Sequence, residues 1–133
     1  MNGQPDIWVV DDDTDDQYLI SQALKAVSTR LTIKPISDGD ELLPQLHQAA
    51  KLPKLVLLDL NMERMNGFEA LRELRSCSPY KHLPVVVLTT SDAEEDRKKA
   101  LQLGADAFFT KPIKFDGVVA MLRQLAIDWR LPK

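Results

Sequence analysis

Cysteine, surplus positive charge and long apolar runs are all scarce in this sequence, and each shortage excludes a class of protein. Cys77 is the only cysteine, so the chain cannot form an internal disulfide, which agrees with a reducing cytoplasm. Seventeen basic residues stand against 20 acidic ones, so no overall positive field favours nucleic acid or an anionic membrane. The apolar runs are only as long as strands, and the amino terminus lacks the pattern of a signal peptide. We therefore expect a cytoplasmic protein that binds neither nucleic acid nor membrane.

The length and the pattern of the chain predict one domain. Its 133 residues, of which 44% are hydrophobic, are enough for one core and too few for two. We interpret residues 1–133 as a single domain with a core of about 5–128 and a short tail, 129–133. Because the sequence ends soon after the last predicted helix, we expect no separate output domain. Apolar runs alternate with segments of helical period, which is typical of an α/β fold with a mainly parallel sheet.

Five apolar runs predict five strands, at residues 7–10, 31–36, 55–58, 85–88 and 107–109. The first, third and fourth runs are continuously apolar, as expected of central strands covered by helices on both faces. The second run contains Lys34 and Pro35, and because proline cannot donate a ladder hydrogen bond, this strand belongs at an edge. Right-handed crossovers then predict the strand order 2-1-3-4-5, which is a flavodoxin-like doubly wound sheet.

Helical periodicity between these runs predicts five helices that cover both faces of the sheet. Four of their apolar stripes are Tyr18, Ile20, Ala23, Leu24 and Val27; Phe68, Leu71 and Leu74; Ala100 and Leu103; and Val118, Val119, Leu122 and Leu125. The remaining helix holds Leu42, Leu43 and Leu46. It carries Pro44 within about its first turn, where the missing N–H matters least.

Ligands of doubly wound sheets bind beyond the carboxyl ends of the strands, and in this sequence those ends are polar. The residues there are Asp11, Asp12 and Asp13 after strand one, Asp59 after strand three, Thr89 and Thr90 after strand four, and Lys111 and Pro112 after strand five. Carboxylates about 4 Å apart repel by roughly 1 kcal/mol per pair even in water, so this cluster needs a cation. Oxygen ligands without histidine or cysteine favour a hard ion, and a site with few carboxylates suits Mg²⁺ better than Ca²⁺.

A carboxylate beside Mg²⁺ can act as a nucleophile on phosphorus and form an aspartyl phosphate. Asp59 is placed best for this role, because it is the solitary acid after the central third strand. Lys111 would supply a fixed positive charge and Thr89 a hydroxyl donor for the phosphoryl oxygens. Asp13 is assigned instead to capping the helix that follows it.

Four segments, VVDDD, LLDLNMERMNGFEAL, VVVLTTSDAEED and GADAFFTKP, resemble the CheY-like receiver domains of two-component response regulators. They do so in the same order and over nearly the whole chain. The resemblance implies that Asp11 and Asp12 are the acidic pair that holds Mg²⁺ together with Asp59, the phosphoacceptor. It also implies that the backbone carbonyl of Asn61 completes the metal shell.

The same resemblance assigns the residues that respond to phosphorylation. It implies that Thr89 is the switch hydroxyl, that Lys111 is the partner of the phosphoryl group, and that Phe108 stands at the aromatic switch position. It further implies that the Lys111–Pro112 peptide bond is cis, which is a conformation confined almost wholly to X-Pro bonds.

The sequence departs from the family pattern in three places. Glu63 stands where proline is common in the loop after the phosphoacceptor, so the backbone there lacks the fixed φ that proline gives. Asn66 precedes Gly67 where Asp-Gly is common. Phe108 replaces a frequent tyrosine and cannot make a hydroxyl hydrogen bond.

By this resemblance, a sensor histidine kinase or a phosphotransfer protein donates the phosphoryl group to Asp59, and the switched surface then binds a downstream protein. The chain is expected to be a switch that catalyses only its own phosphorylation and dephosphorylation, and not a metabolic enzyme. The ending WRLP, with Trp129 and Leu131, is similar to the tails of phytochrome-associated single-domain regulators, which suggests a homodimer. Alternatively, the tail packs back on its own domain.

Two other functions stay open at this point. A haloacid-dehalogenase-type phosphatase also combines an aspartate nucleophile with threonine, lysine, acids and Mg²⁺, but there the nucleophile precedes the acidic pair, and here the pair comes first. A receiver used as a scaffold that works without phosphorylation is the second alternative, because Glu63 and Phe108 depart from the pattern.

Overall fold

The computed structural model describes residues 6–131, and its centre is a parallel sheet of five strands in the order β2-β1-β3-β4-β5. The strands are β1 Ile7–Val10, β2 Ile33–Ile36, β3 Leu55–Leu58, β4 Val85–Thr89 and β5 Ala107–Thr110. The predicted strand order is therefore confirmed, and β1 and β3 lie side by side at the centre. Strand order reverses there, which places a crevice at the carboxyl ends of these strands.

Five α-helices alternate with the strands: α1 Thr14–Val27, α2 Leu42–Gln48, α3 Gly67–Ser76, α4 Glu94–Gln102 and α5 Phe115–Asp128. Short 3-10 turns at Gly39–Glu41 and Ser78–Tyr80 precede α2 and β4. The buried residues of α1 and α5 pack on one face of the sheet, and those of α2, α3 and α4 pack on the other. This is the predicted doubly wound arrangement.

Alternate residues of the central strands serve the two faces of the sheet. In β1, Ile7 and Val9 belong to the core beneath α1 and α5, whereas Trp8 and Val10 belong to the core beneath α2 and α3. All residues of β1, β3 and β4 are buried. Because both faces are covered, these strands need apolar residues at every position, as their sequences predict.

The edge strand β2 confirms one prediction and corrects another. Pro35 is exposed on the outermost strand. Because no further strand lies beside it, the N–H that proline lacks is not needed for a hydrogen bond in the sheet. The strand begins at Ile33, two residues later than predicted, although Leu31 is still buried. β4 and β5 each run one residue further than predicted, to Thr89 and Thr110.

The predicted stripe of α1 was wrong at Tyr18, which is 68% exposed. Its neighbour Gln17 is buried instead, on the same side of the helix as Ile20 and Leu24. The Gln17 side chain donates a hydrogen bond of 2.8 Å to the carbonyl of Ile36 on the edge strand. A polar residue occupies this position because the strand end offers an acceptor there, and hydrophobic periodicity alone could not find it.

The segment after α5 packs back on the domain. Leu131 is buried and its N–H bonds the carbonyl of Ala126, while Trp129 packs against the core beneath α1 and α5. The alternative interpretation of the tail is thus confirmed as far as Leu131, and the homodimer remains a prediction. Among residues 6–131, no helix has both the length and the hydropathy needed to cross a membrane.

Candidate functional site

Backbone hydrogen bonds between neighbouring strands bring the predicted site residues to one edge of the sheet. The N–H of Asp59 bonds the carbonyl of Val10, directly before Asp11, at 3.0 Å. The N–H of Lys111 bonds the carbonyl of Thr89 at 2.7 Å. These residues come from four strand ends and are separated by up to 100 positions in the chain, yet the parallel register fixes them as neighbours.

Three carboxylates form the centre of the site. Asp11, Asp12 and Asp59 each offer one oxygen, and the three oxygens lie within 4.8 Å of one another. Asp11 and Asp59 are buried, while Asp12 is nearer to solvent. The structure therefore brings together the three side chains that the sequence predicted as metal ligands.

The donor set of this cluster fits a hard divalent cation. It consists of oxygens alone, and one side of it opens to solvent through Asp12. Asn61 is exposed beside Asp59, where its backbone carbonyl is the predicted fourth ligand. Three neighbouring carboxylates with one lysine leave an excess of negative charge, which a cation would offset.

The Lys111 ammonium lies inside the acidic cluster. Its Nζ donates to Asp11 Oδ2 at 2.7 Å and to Asp16 Oδ2 at 3.0 Å, and it lies 3.9 Å from Asp59 Oδ2. Burial alone would lower the pKa of Lys111, but the hydrogen bond and charge of Asp11, with the charge of Asp59, outweigh it and raise that pKa. Lys111 is therefore a fixed positive charge at neutral pH.

The pKa of Asp59 is unusually high for an aspartate. Burial raises its pKa to about 6, although the Lys111 charge acts in the opposite direction. Asp11 adds to the rise because it is a second negative charge nearby, and burial likewise raises the pKa of Asp11 itself. Such a shift is common at functional sites, where a carboxylate is held in surroundings that favour its reaction.

Helix α3 begins beside Asp59, the predicted phosphoacceptor. Asn66 caps this helix by accepting from the N–H of Glu69, whose side chain accepts in return from the N–H of Asn66. Asparagine thus provides the cap that aspartate would provide in the common Asp-Gly pair. Gly67 touches the backbone of Asp59 and Leu60 so closely that any Cβ would collide with it. The glycine is required by this close approach.

The loop of Glu63 is held by hydrogen bonds that proline could not make. The N–H of Glu63 donates to Asp12 Oδ2 at 3.1 Å, and a proline at this position has no N–H. The next two N–H groups, of Arg64 and Met65, donate to the buried carboxylate of Asp38. The Arg64 guanidinium also pairs with Asp40 and Glu41. The loop is therefore tied to the site and to the start of α2 despite the missing proline.

The two predicted switch residues lie on adjacent strands. Thr89 ends β4 and is fully buried, and its hydroxyl acts on the Asp59 carboxylate to lower the pKa of Asp59. Phe108 on β5 is half-buried against the core beneath α2 and α3. Both therefore stand where a change at Asp59 could reach them, and their switching roles remain predictions.

The expected cis bond between Lys111 and Pro112 was wrong, since every described peptide bond is trans. The two isomers of an X-Pro bond differ by only about 0.5–1 kcal/mol, so local sequence cannot decide between them. Asp13 does cap α1, as predicted, by accepting from the N–H groups of Asp15 and Asp16.

Three charged residues of the site are not among those predicted from the sequence. Asp16 binds Lys111, Asp38 holds the loop after Asp59, and Arg64 links that loop to the 3-10 turn before α2. Asp16 and Lys111 are 95 positions apart, and Asp38 and Arg64 are 26 positions apart. The run DDDTDD could have indicated a further role for Asp16, because it contains more acids than helix capping and metal binding require.

The domain is a flavodoxin-like parallel sheet with an acidic cluster and one lysine at the carboxyl ends of its strands. This arrangement is suited to phosphoryl chemistry on a carboxylate. Residues 7–123 match the family model of the response regulator receiver domain. Because the match spans most of its length, the chain belongs to the response regulator receiver domain family.

Similar proteins agree with this membership. The chain is 36% identical over 93% of its length to the probable transcriptional regulatory protein TcrX of Mycobacterium tuberculosis, of which it covers 51%. It is similar to the phosphorylated cyanobacterial phytochrome response regulator RcpA, with 30% identity, a TM-score of 0.87, and coverage of 96% of this chain and 95% of that chain. It is also similar to the Mn²⁺-bound response regulator Rcp1, with 27% identity, a TM-score of 0.82 and 97% coverage of both chains.

Proposed function

We propose that Asp59 accepts a phosphoryl group and that this modification switches a protein-binding surface of the domain. The observation that supports this most directly is the position of Asp59, a buried strand-end carboxylate grouped with Asp11 and Asp12 and 3.9 Å from the Lys111 ammonium. Receiver domains are phosphoacceptor switches, so membership of the family supports the same function.

Mg²⁺ is the proposed cofactor, held by Asp11, Asp12 and Asp59 with the backbone carbonyl of Asn61. When bound, the ion supplies positive charge that offsets the carboxylates and polarises the phosphoryl oxygens. Mn²⁺ bound to the similar protein Rcp1 supports a divalent ion, and the oxygen ligands favour magnesium over softer metals.

The residues of the chain then have defined roles in phosphoryl transfer. A carboxylate oxygen of Asp59 forms a bond to phosphorus as the bond from phosphorus to the donor breaks, and the donor leaves with that electron pair. Lys111 presents its ammonium to the charge that develops on the phosphoryl oxygens, and the Thr89 hydroxyl donates a hydrogen bond to them. A pKa of about 6 leaves most of the Asp59 population ionised, and hence nucleophilic, at pH 7.

The switch follows from charge. A phosphoryl group adds about 1.5 to 2 negative charges, which draws the Thr89 hydroxyl towards it. Movement of Thr89 leaves space that Phe108 fills by turning inward, and the surface formed by β4, α4 and β5 changes. A ligand or modification shifts such an equilibrium only if the two states differ in affinity for it.

The proposed phosphoryl donor is a sensor histidine kinase or a phosphotransfer protein, and the proposed output is binding to a downstream protein. The likeness to the phytochrome response regulator RcpA, together with the ending WRLP, favours a phytochrome-type sensor as the kinase. A homodimer is a further part of this proposal, and the expected cytoplasmic location remains a prediction.

Intact-mass spectrometry after incubation with acetyl phosphate and Mg²⁺ tests the phosphoacceptor. We expect the wild type to gain one phosphoryl group and Asp59→Asn to gain none. Asp92→Asn, which alters an exposed acid in the loop before α4, is the matched control and should behave like the wild type. A wild type that gains nothing would favour the scaffold that works without phosphorylation. Continuous turnover of small phosphate esters would favour the phosphatase.

A further inference from the structure

Asp16 binds the same ammonium that the phosphoryl group is proposed to bind. Lys111 Nζ donates to Asp11 at 2.7 Å and to Asp16 at 3.0 Å, but its distance of 3.9 Å from Asp59 Oδ2 exceeds that of a hydrogen bond. An ammonium has three N–H donors, and two of them are engaged by acids other than the phosphoacceptor. We propose that Asp16 is a positioning residue that holds Lys111 in the unphosphorylated domain and competes with the phosphoryl group for it.

The backbone of α1 fixes Asp16 at this place. Asp13 caps the helix and accepts from the N–H of Asp16 at 3.2 Å, so the first turn of α1 cannot move freely. The Asp16 side chain and Lys111 line the same cavity, together with Leu19 and Pro112. The contact between Asp16 and Lys111 therefore follows from the position of the first turn of α1 at the carboxyl end of β1.

Of the two acids bound to Lys111, Asp16 is the one that can exchange. The Asp11 side chain is 2% exposed and also accepts from the N–H of Asp13. The Asp16 side chain is 34% exposed, so water can solvate it once Lys111 turns away. Asp16 also lies outside the cluster of Asp11, Asp12 and Asp59, and a bound metal ion would not occupy it.

The competition has a defined direction. Each phosphoryl oxygen that binds Lys111 must displace Asp16 or share the ammonium with it, which weakens the interaction. Removing the Asp16 charge should therefore strengthen binding of a phosphoryl mimic. A partly exposed ion pair corresponds to about a two- to fivefold change in affinity.

The inference rests on the proposed function, and beryllofluoride is the probe that tests it. We would measure its affinity by isothermal titration calorimetry at saturating Mg²⁺. Asp16→Asn should bind about two- to fivefold more tightly than the wild type. Asp16→Glu keeps the charge and should restore affinity close to that of the wild type. Asp15→Asn is the matched control, since Asp15 is the exposed acid beside Asp16 in the same helical turn.

The outcomes separate this inference from the proposed function. Tighter binding by Asp16→Asn alone, with an unfolding midpoint close to that of the wild type, supports competition for Lys111. Equal or weaker binding by Asp16→Asn overturns it, and so does an equal gain in Asp15→Asn, which would indicate a general effect of charge. A wild type that binds no beryllofluoride and gains no phosphoryl group on Asp59 would overturn the proposed function and this inference together.

Discussion

Asp38 is a buried carboxylate whose work is structural, although it lies beside the site. Its side chain is 2% exposed and accepts from the N–H groups of Arg64, Met65 and Asp40. Burial alone would raise the pKa of Asp38, but these donors, with the Arg64 charge, outweigh it and hold that pKa below its usual range. The ionised form of Asp38 is therefore the form that the fold stabilises.

This lowered pKa predicts how stability depends on pH. Asp38 binds protons less readily in the folded state, so its contribution is present above its unfolded pKa and is lost as pH falls through its folded pKa. We expect Asp38→Asn to lower the free energy of unfolding at pH 7 by about 1–3 kcal/mol, because the amide keeps only one of the two acceptor oxygens and leaves a loop N–H without its acceptor. The difference from the wild type should shrink below about pH 4, which urea unfolding at several pH values would measure.

Asp92→Asn serves as the control for this pH dependence, since it removes an exposed carboxylate from a loop. Its difference from the wild type should be small at every pH. If the Asp38→Asn difference well below pH 4 were as large as at pH 7, its cause would be shape and not ionisation.

Site residues at strand ends could be predicted from the sequence more readily than site residues in loops and helices. Asp11, Asp59 and Lys111 could be predicted because each follows an apolar strand, and strand ends in a parallel sheet meet at one edge. The partners of Asp38 and Asp16 could not be predicted, because they depend on the path of a loop and the angle of a helix. Those geometries arise from tertiary packing, which local patterns do not encode.

At the scale of elements, the end of α3 is joined to its neighbours by one arginine. Arg75 donates hydrogen bonds to the carbonyls of Gly104, Tyr80 and Leu83, and it pairs with Asp106 at 3.2 Å. Its guanidinium thus links α3 to the segments that precede β4 and β5. Its five N–H donors allow one side chain to bind three carbonyls at once.

The Arg75 contacts predict a loss of stability when the side chain is removed. Arg75→Ala leaves partly buried carbonyls without donors, and we expect it to lower the free energy of unfolding by about 2–3 kcal/mol. Arg72→Ala changes an exposed arginine of the same helix and should alter stability by less than about 0.5 kcal/mol. Chemical denaturation of both variants provides the comparison. Because alanine is a better helix former than arginine, helix propensity would not explain a loss in either variant. Equal losses in the two variants would mean that the link between elements is not responsible.

Element positions followed the sequence most closely where burial was complete. β1 and β3 have the predicted limits because their apolar runs stop at the first acid. β2 is half-exposed, and the limit predicted from its apolar residues was two positions too early. Helix α1 contains the predicted stripe, but Gln17 replaces Tyr18 on its buried side. A periodic pattern therefore locates an element better than it identifies each buried residue.

The charge of the whole molecule is concentrated at the site. The chain has 20 acidic and 17 basic residues and hence a net charge of −3. Asp11, Asp12, Asp16 and Asp59 surround Lys111, so the acids at the site exceed its base by three. The remaining charges of the chain balance. A divalent cation is therefore attracted to this edge of the sheet more than to the rest of the surface.

This concentration of charge predicts a metal-dependent stability of the whole domain. Mg²⁺ that binds the folded state alone raises the free energy of unfolding by about 2.7 kcal/mol at 100 times its Kd. We expect the midpoint of thermal unfolding to rise on adding MgCl₂ and to fall again on adding a chelator. Asp12→Asn removes the charge of one ligand and should lose most of the rise, whereas Asp15→Asn removes an equal charge outside the cluster and should keep it. NaCl at matched ionic strength controls for screening. A rise of the same size in Asp12→Asn would mean that Mg²⁺ stabilises the fold elsewhere, and the three carboxylates would no longer account for the metal site.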